Sequence, residues 1–394
     1  MNFEFQNPTR IVFGAGVLSR LGEVAREGGR RALLVIGGGS VKRNGAFDRA
    51  VASLKAAGVG VVAFEGVEPN PRLATVVRGA QLAKAEQCDL VIALGGGSVM
   101  DAAKVMAATV YYEGDPWEMM VHSPIGTRLP TRALPIITVP TLAATGSEMN
   151  MGAVITNEQR VEKSYVIADC LYPRVALVDP ALTLTVPADQ TAYGICDLMT
   201  HVTEGYFNGD DGTPLQDRFA EGVILTAMEW GPKAVANGQD LEARAQVQWA
   251  SVVALNGWVQ AGANAVGFPV HMIEHTISAI HDVAHGAGLA VVNPAWMRAA
   301  ARIRPNRFAQ FSRRIFGLEQ PDVLACALEG VARFEGFLGG IGCPTRLSQL
   351  GLDGTLIERY ARETLQAIHD ESGCLPGRPA MREAEVIDLL RTAL

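Results

Sequence analysis

The first half of the chain alternates short, β-branched apolar runs with longer amphipathic segments, and this alternation limits the possible folds more than any other feature. Five apolar runs are typical of buried strands, at 31–36, 60–64, 89–94, 134–139 and 175–178. Segments between them, such as 47–57 and 72–86, have helical periodicity. The pattern predicts a parallel, Rossmann-like sheet covered by helices on both faces, with ligands bound where its strands end.

The pattern changes near residue 182, at a loop-like stretch (179–189) that contains Pro180 and Pro187. From residue 186 the apolar positions repeat with helical spacing, for example at 192–206, 217–234, 241–261, 321–338 and 356–369. A chain of 394 residues is long enough for two domains. We therefore predict an α/β nucleotide-binding domain at 1–182 and an all-α domain at 183–394.

Charge and composition exclude several classes of protein. A net charge of −7 without a basic patch disfavours nucleic acid as a partner. The N-terminus lacks a basic segment followed by an apolar run, which a secretory signal would need. The sequence also contains no run of about 18 uninterrupted apolar residues, the length of a membrane span. A cytoplasmic protein without membrane contact is therefore expected. The six cysteines show no CxxC spacing, and Cys196, although next to Asp197, is interpreted as a buried small residue.

Two glycine-rich turns follow predicted strands. The first strand ends in GGGS at 37–40, and the third ends in GGGSVMDAAK at 95–104. Glycine lets the backbone approach a ligand closely, and the N-terminus of the following helix offers free N–H groups to a pyrophosphate. A single turn of this kind is weak evidence, but two at equivalent strand ends favour a nucleotide site.

The next strand end carries VPTLAATGSEMN at 139–150. Thr138, Thr141, Thr145 and Ser147 supply hydroxyl groups around Gly146. Ser147 before Glu148 equally suits the start of a helix, so at this point a cofactor contact and a simple helix cap remain open.

The segment HMIEHTISAIHDVAHG, residues 271–286, holds four of the seven histidines. His271 and His275 are spaced i,i+4, as are Asp197 and His201 in an earlier helix. Burying so many imidazoles without a shared purpose would be costly, so the spacing predicts a metal site. A single buried histidine is more often a core residue, and His122 and His369 are interpreted as solvated bystanders.

In this order and spacing, GGGSVMDAAK, PTLAATGSEMN, DLMTHVTEGY and the histidine segment resemble the iron-containing (group III) alcohol dehydrogenases, in particular the NADPH-dependent butanol dehydrogenase and aldehyde reductase branch. The resemblance covers nearly the whole chain and implies a dehydroquinate synthase-like architecture. It implies that one ion, Fe²⁺ or Zn²⁺, is bound by Asp197, His201, His271 and His285. His275 would then be the catalytic residue that relays a proton.

The resemblance also implies a set of cofactor contacts. Gly95, Gly96, Gly97 and Ser98 would hold the pyrophosphate, with Asp101 closing the turn. The remaining implied contacts with phosphate, ribose or nicotinamide are Asn70, Thr138, Thr141, Ser147 and Lys163.

Cofactor choice depends on the first GGGS turn. Relatives that prefer NAD often place an aspartate after this strand, whereas residues 37–43 contain no acid. Donors are present instead, namely Gly38, Gly39, Ser40, Lys42 and Arg43. Because these groups suit a 2′-phosphate, NADP(H) is expected in preference to NAD(H).

The expected reaction is reversible hydride transfer between NADP(H) and a small-to-medium primary alcohol or aldehyde, in a cleft between the domains of a homodimeric enzyme. The alternatives are a dehydroquinate synthase-type lyase, a maleylacetate reductase-type enzyme without metal, and a nucleotide-binding sensor without catalysis. The lyase would need basic residues for a phosphorylated acid, and 262–286 contains no lysine or arginine. Two departures from the family pattern are Ala143, in place of a proline, and His281, whose role stays open.

Overall fold

The computed structural model describes residues 2–121 and 127–394. The chain forms two compact units, and both are discontinuous in sequence. The first contains Gln6–Pro187 and Asn237–Val252, and the second contains Met1–Phe5, Ala188–Ala236 and Val253–Leu394. The chain passes from the first unit to the second after Pro187, and Met1–Phe5 and Asn237–Val252 belong to the other unit than their neighbours in sequence, so the bounds 1–182 and 183–394 stay a prediction. His122 lies outside the described residues.

The first unit contains a six-stranded parallel sheet. Its strands are β1 (Arg10–Phe13), β2 (Arg31–Gly37), β3 (Gly60–Val67), β4 (Leu90–Gly95), β5 (Ile136–Pro140) and β8 (Val175–Val178), and a separate antiparallel hairpin comprises β6 (Gly152–Asn157) and β7 (Glu162–Ile167). The strand order is β1-β8-β5-β4-β2-β3. All five predicted strands are confirmed, whereas β1 and the hairpin were not predicted.

The α-helices described in this unit are α1 (Leu21–Gly28), α2 (Ser40–Arg43), α3 (Ala46–Ala56), α4 (Leu73–Ala85), α5 (Gly97–Thr109) and most of α8 (Leu241–Ala254). Successive side chains of a strand point to opposite faces, and both faces of this sheet are buried. Leu33 and Val35 of β2 join one apolar cluster, while Leu34 and Ile36 join a second cluster on the other face. Burial on two faces explains the uninterrupted apolar runs in the sequence.

The second unit is helical. Its helices are α6 (Ala188–Asn208), α7 (Pro214–Ala236), α9 (Pro269–His281), α10 (His285–Ile303), α11 (Pro305–Phe316), α12 (Val323–Gly340), α13 (Ile357–Ala367) and α14 (Glu383–Arg391). Phe207 of α6 stacks on Phe308 of α11 with ring centroids 4.0 Å apart, and Trp296 of α10 packs beside them. The predicted α/β-plus-helical fold class is thus confirmed. None of the helices in the described part of the chain combines the length and apolar character needed to span a membrane.

Candidate metal centre and nucleotide-binding turns

Three helices of the second unit bring the predicted metal ligands together. Asp197 and His201 lie one turn apart on α6, so their side chains project from the same face. His271 lies in the first turn of α9, and His285 is the first residue of α10. The first three of these side chains are buried, whereas His285 is half-buried.

The four side chains converge on one carboxylate oxygen. Asp197 Oδ1 lies 3.5 Å from His201 Nδ1 and 3.7 Å from both His271 Nε2 and His285 Nε2. Donors that bind one tetrahedral ion at about 2.1 Å are about 3.4 Å from one another, so the spacing fits a single divalent ion. Asp197 Oδ1, His201 Nδ1 and His271 Nε2 are buried without a hydrogen-bond partner among the described residues. One carboxylate and three imidazoles suit Fe²⁺ and Zn²⁺ alike.

Glycine at position 286 allows the start of α10 to approach α6. A Cβ atom at Gly286 would lie 2.2 Å from the carbonyl oxygen of Tyr193, well inside van der Waals contact. Only a residue without a side chain permits this approach, which places the adjacent His285 beside Asp197.

Two buried glutamates behind the ligands were not predicted. Glu204 Oε2 contacts Nδ1 of His271, and Glu274 Oε2 contacts Nδ1 of His285. Both glutamates are fully buried. A sequence signal existed for Glu204, because it follows Asp197 and His201 at i+7 and i+3 and so extends the same face of α6.

Burial and charge act in opposite directions on these groups. Burial raises the pKa of Asp197, but the nearby His201, His271 and His285 outweigh it and bring the value to about 2. Burial lowers the pKa of His201 to about 3. Burial also lowers the pKa of His271, yet the charge of Glu204 reverses this effect and raises the value to about 9. Asp197 is therefore a carboxylate at neutral pH, as a metal ligand must be.

His275 and His281 have different surroundings. His275 is buried beside the cluster, with its ring centroid 5.6 Å from that of His285. One ring nitrogen of His275 lies within 4.8 Å of a carboxylate oxygen of Glu274 and a ring nitrogen of His285. The potential ligand atoms of Asp197, His201 and His271 form a separate group of this kind. His281, whose role was open, has its Nε2 2.6 Å from the Tyr360 hydroxyl. His369, expected to be solvated, is half-buried and contacts Leu365 O through Nδ1 at 2.8 Å.

In the first unit, the turn at 95–98 joins β4 to α5. A Cβ atom at Gly97 would lie 2.4 Å from Thr145 Cγ2, whereas one at Gly96 would be 3.6 Å from its nearest neighbour, Leu142 Cβ. The N–H groups of Gly97 and Ser98 have no backbone acceptor in the described part of the chain. They belong to the first turn of a 13-residue helix, a position that suits a phosphate group.

Asp101, which the resemblance implied as closing this turn, has both carboxylate oxygens bonded to the 147–154 segment. Its Oδ1 accepts a hydrogen bond from Ser147 Oγ at 2.6 Å, and its Oδ2 accepts one from the N–H of Val154 at 2.9 Å. Thr138 is also turned inward, with Oγ1 donating to Glu148 O at 3.4 Å. Thr138 and Ser147 are buried, and these hydrogen bonds hold the loop in place. Thr141 remains half-buried, and its N–H donates to Gly95 O at 3.0 Å.

Lys104 is a further contributor that was not predicted. Its fully buried ammonium group donates to Ser147 Oγ and Gly152 O at 2.8 Å, and to the backbone and side-chain oxygens of Asn150. Burial lowers the pKa of Lys104 to about 8, although Asp101 opposes the shift. Lys104 and Asp101 together fasten the 147–154 segment to α5. The position of Lys104 inside GGGSVMDAAK was the only sequence signal.

The structure brings Asn70 and Lys163 together, 93 residues apart in sequence. Lys163 Nζ donates to Asn70 Oδ1 at 2.9 Å, and both side chains are largely buried. Asn70 has a φ angle of 49°, in the left-handed region that asparagine tolerates better than most residues. Two residues that the family resemblance implied as cofactor contacts therefore form one polar pair.

Of the two cations expected at the first glycine turn, Lys42 is engaged in an ion pair. Gly39 has a φ angle of 98°, which favours glycine, and it precedes the short helix α2 that starts at Ser40. Lys42 Nζ lies 2.6 Å from the carboxylate of Glu65 at the end of β3, so its charge is already paired. Arg43 is exposed and forms no ion pair with any described residue.

Comparison with known proteins identifies a consistent set of relatives. The profile of the iron-containing alcohol dehydrogenases matches residues 8–180, and the profile of the C-terminal domain of that family matches 191–394. A probable NADH-dependent butanol dehydrogenase of Bacillus subtilis is 37% identical over all of both chains. The NADPH-dependent aldehyde reductase YqhD of Escherichia coli is 36% identical, over 90% of this chain and 91% of that protein.

Structural comparison agrees with the sequence. The crystal structure of an NADH-dependent butanol dehydrogenase A from Thermotoga maritima superimposes with a TM-score of 0.94 and 38% sequence identity, covering 100% of this chain and 98% of that one. Relatives named for NADH and relatives named for NADPH are thus both similar to this chain.

Proposed function

Because the chain belongs to the iron-containing alcohol dehydrogenase family, we propose roles for its residues in the reversible reduction of small-to-medium aldehydes to primary alcohols with NADP(H). The protein is an alcohol dehydrogenase and aldehyde reductase of this family. The observation that carries the proposed roles is the convergence of three histidine nitrogens on Asp197 Oδ1.

Asp197, His201, His271 and His285 would hold one divalent ion. When bound, the ion supplies a Lewis acid for the carbonyl oxygen and the cofactor supplies a hydride for the carbonyl carbon. The buried positions of Asp197, His201 and His271 keep bulk water away from three of the four donor atoms. His275, buried beside the ligands, would pass a proton to the oxygen of the product.

The proposed chemistry is tested by elemental analysis of gently purified protein, together with NADPH oxidation across aliphatic aldehydes of increasing length. We expect about one equivalent of Fe²⁺ or Zn²⁺ per chain. Chelation should remove the metal and the activity in parallel, and adding the metal back should restore both. Full activity in metal-free protein would contradict the proposed ligand set.

The remaining cofactor-binding roles follow from the turns. The N–H groups of Gly97 and Ser98, with the close approach allowed at Gly95 and Gly96, would bind the pyrophosphate. The adenosine ribose and its 2′-phosphate would be bound by donor groups of Gly38, Gly39 and Ser40. Thr141, Asn70 and Lys163 would provide direct polar contacts, whereas Asp101, Thr138 and Ser147 would act by fixing the loop.

We expect kcat/KM to be higher with NADPH than with NADH. The support is the absence of acid at 37–43 and the guanidinium of Arg43, which forms no ion pair with any described residue and suits a 2′-phosphate. The R43A variant should lose roughly tenfold or more in kcat/KM for NADPH, in line with a charge-assisted hydrogen bond worth about 1.5–3 kcal/mol. Its kcat/KM for NADH should change little.

The matched control is K42A, because Lys42 is the neighbouring cation but is already paired with Glu65. Steady-state kinetics with both cofactors should show a smaller loss for K42A than for R43A. A wild-type NADPH/NADH ratio below one would refute the preference, and equal losses in both variants would remove Arg43 as its cause.

The protein is further proposed to be a cytoplasmic homodimer. Its six cysteines are free thiols, as is usual in a reducing compartment. Phe3, Phe5 and Trp258 of the helical unit are exposed to 52%, 37% and 44%, and Phe5 and Trp258 pack edge to face. Exposed aromatic groups of this kind favour a partner surface. Light scattering on the eluting protein would give the mass directly.

A further inference from the structure

Glu204 accepts hydrogen bonds through both of its carboxylate oxygens. Oε1 accepts the N–H of Val270 at 2.6 Å, and Oε2 accepts the N–H of His271 at 3.3 Å. The same Oε2 contacts Nδ1 of the His271 ring. Since each partner of Glu204 in α9 is a donor, a donating group in place of Oε1 would oppose one N–H group, and one in place of Oε2 would oppose two.

These contacts also complete the start of α9. The residue before the helix, Phe268, offers no side-chain hydrogen bond to the free N–H groups of the first turn. Glu204 reaches across from α6 and takes the role of the missing cap, with its negative charge at the positive end of the helix. The position of the α9 backbone and the orientation of the His271 ring therefore depend on one carboxylate.

Glu274 has a more adaptable environment. Its Oε2 contacts Nδ1 of His285, while its Oε1 accepts a hydrogen bond from Ser278 Oγ. The Ser278 hydroxyl also lies 3.1 Å from the carbonyl oxygen of Val283, which can serve as an alternative acceptor. A hydroxyl group both donates and accepts, so Ser278 can turn to Val283 and accept a hydrogen bond from an amide at position 274.

We propose that Glu204 and Glu274 are positioning residues that fix the Nδ1–H tautomers of His271 and His285 and set the affinity of the centre for a divalent ion, with Glu204 indispensable and Glu274 replaceable by glutamine. This inference rests on the proposed metal site. Each carboxylate holds Nδ1–H and so leaves the Nε2 lone pair directed at the position beside Asp197. It goes further than the ligand set, because it distinguishes two carboxylates that carry the same charge.

Substitution by glutamine separates hydrogen bonding from charge. E204Q places an NH₂ group against Val270 N–H or against His271, so one buried donor faces another. In E274Q the Ser278 hydroxyl can rotate to donate to Val283 O and accept a hydrogen bond from the new amide group, so no donor faces another donor. If charge alone mattered, the two variants would lose metal affinity equally, because each removes one negative charge behind one ligand.

The experiment measures the dissociation constant for Zn²⁺ of each full-length variant, by competition with a chromophoric chelator. We expect roughly a 10- to 100-fold weaker affinity for E204Q and less than roughly a tenfold loss for E274Q. The S278A/E274Q double variant removes the proposed relief and should bind Zn²⁺ more weakly than E274Q. The S278A single variant, which keeps the carboxylate, should stay near the wild type.

The matched control is E221Q, which removes another buried carboxylate of the helical unit, one bonded to Tyr206 and Arg314 instead of a histidine. E221Q should lower the melting temperature of the metal-free protein but leave Zn²⁺ affinity unchanged. The electronic spectrum of the Co²⁺-loaded proteins gives a second readout, since it reports ligand geometry without turnover.

The possible outcomes are distinct. Unchanged Zn²⁺ affinity in E204Q, or equal losses in E204Q and E274Q, would overturn the inference. If E204Q fails to fold, an S278A/E274Q variant that binds like E274Q would still overturn it. Failure of the wild-type protein to bind Zn²⁺, Fe²⁺ or Co²⁺ would instead refute the proposed metal site itself.

Discussion

His271→Ala should yield a folded protein that retains no divalent ion and loses aldehyde reductase activity by a factor on the order of 10³ or more, since the Lewis acid contributes several kcal/mol of barrier lowering. The imidazole removed is one of the three whose nitrogens surround Asp197 Oδ1. The same result is expected for His285→Ala. Metal content by elemental analysis and kcat/KM with NADPH check both consequences.

The control is His275→Ala, from the same face of α9 and the same buried cluster. If His275 relays a proton, this variant should keep its metal while kcat falls by roughly 10²- to 10⁴-fold. A His275→Ala protein that loses metal would make His275 a ligand. Full metal retention in His271→Ala would exclude His271 from the ligand set.

Gly97→Ala should abolish tight NADPH binding and lower the thermal stability of the first unit. The added Cβ atom would lie 2.4 Å from Thr145 Cγ2 and 2.8 Å from Thr145 Oγ1, so Thr145 or the turn must move. Overpacking of this kind costs about 1–3 kcal/mol of folding free energy. The shift also displaces the N–H groups of Gly97 and Ser98. Fluorescence titration with NADPH and a thermal melt measure the two effects.

The Gly96→Ala variant tests whether the turn at 95–98 binds the cofactor or serves only to reverse the chain. Its Cβ atom would meet only Leu142 at an ordinary 3.6 Å, and the φ angle of −78° suits any residue. Stability should therefore be kept, while a methyl group in the path of the pyrophosphate should weaken NADPH binding. Wild-type NADPH affinity in Gly96→Ala would show that the turn serves the fold alone.

The features that were predictable from sequence have short-range patterns. Continuous apolar runs identified five strands of the parallel sheet because four of them, β2, β4, β5 and β8, are buried on both faces, whereas the edge strand β3 is only partly buried. The i,i+4 pairs of Asp197 with His201 and of His271 with His275 indicated helices, and α6 and α9 are found there. The resemblance to a family then implied that His275 is not a ligand, a choice that spacing alone had left open, and the ligand set stays a prediction.

Other features depend on contacts between distant segments. The orientation of Asp101 toward Ser147, and the pairing of Lys42 with Glu65, are set by tertiary packing that periodicity cannot reveal. The hairpin of β6 and β7 lies outside the parallel sheet, so its strands lack the doubly buried pattern. Glu204 was detectable in principle by its place on the buried face of α6, but a glutamate there does not disclose its partner.

Discontinuity of both units has a consequence for synthesis on the ribosome. Val252 of α8 packs with Ala176 and Val178 of β8, yet it is translated only after the whole of α6 and α7. Until then the apolar surface of β8 lacks its native cover, a situation that exposes a nascent chain to aggregation. Phe5 is synthesised among the first residues, but its ring can pack against Trp258 only after most of the chain has been translated. Neither unit can therefore reach its final packing as a simple N-terminal-first domain, and a chain ended at residue 182 would leave Ala176 and Val178 of β8 without their contact with Val252.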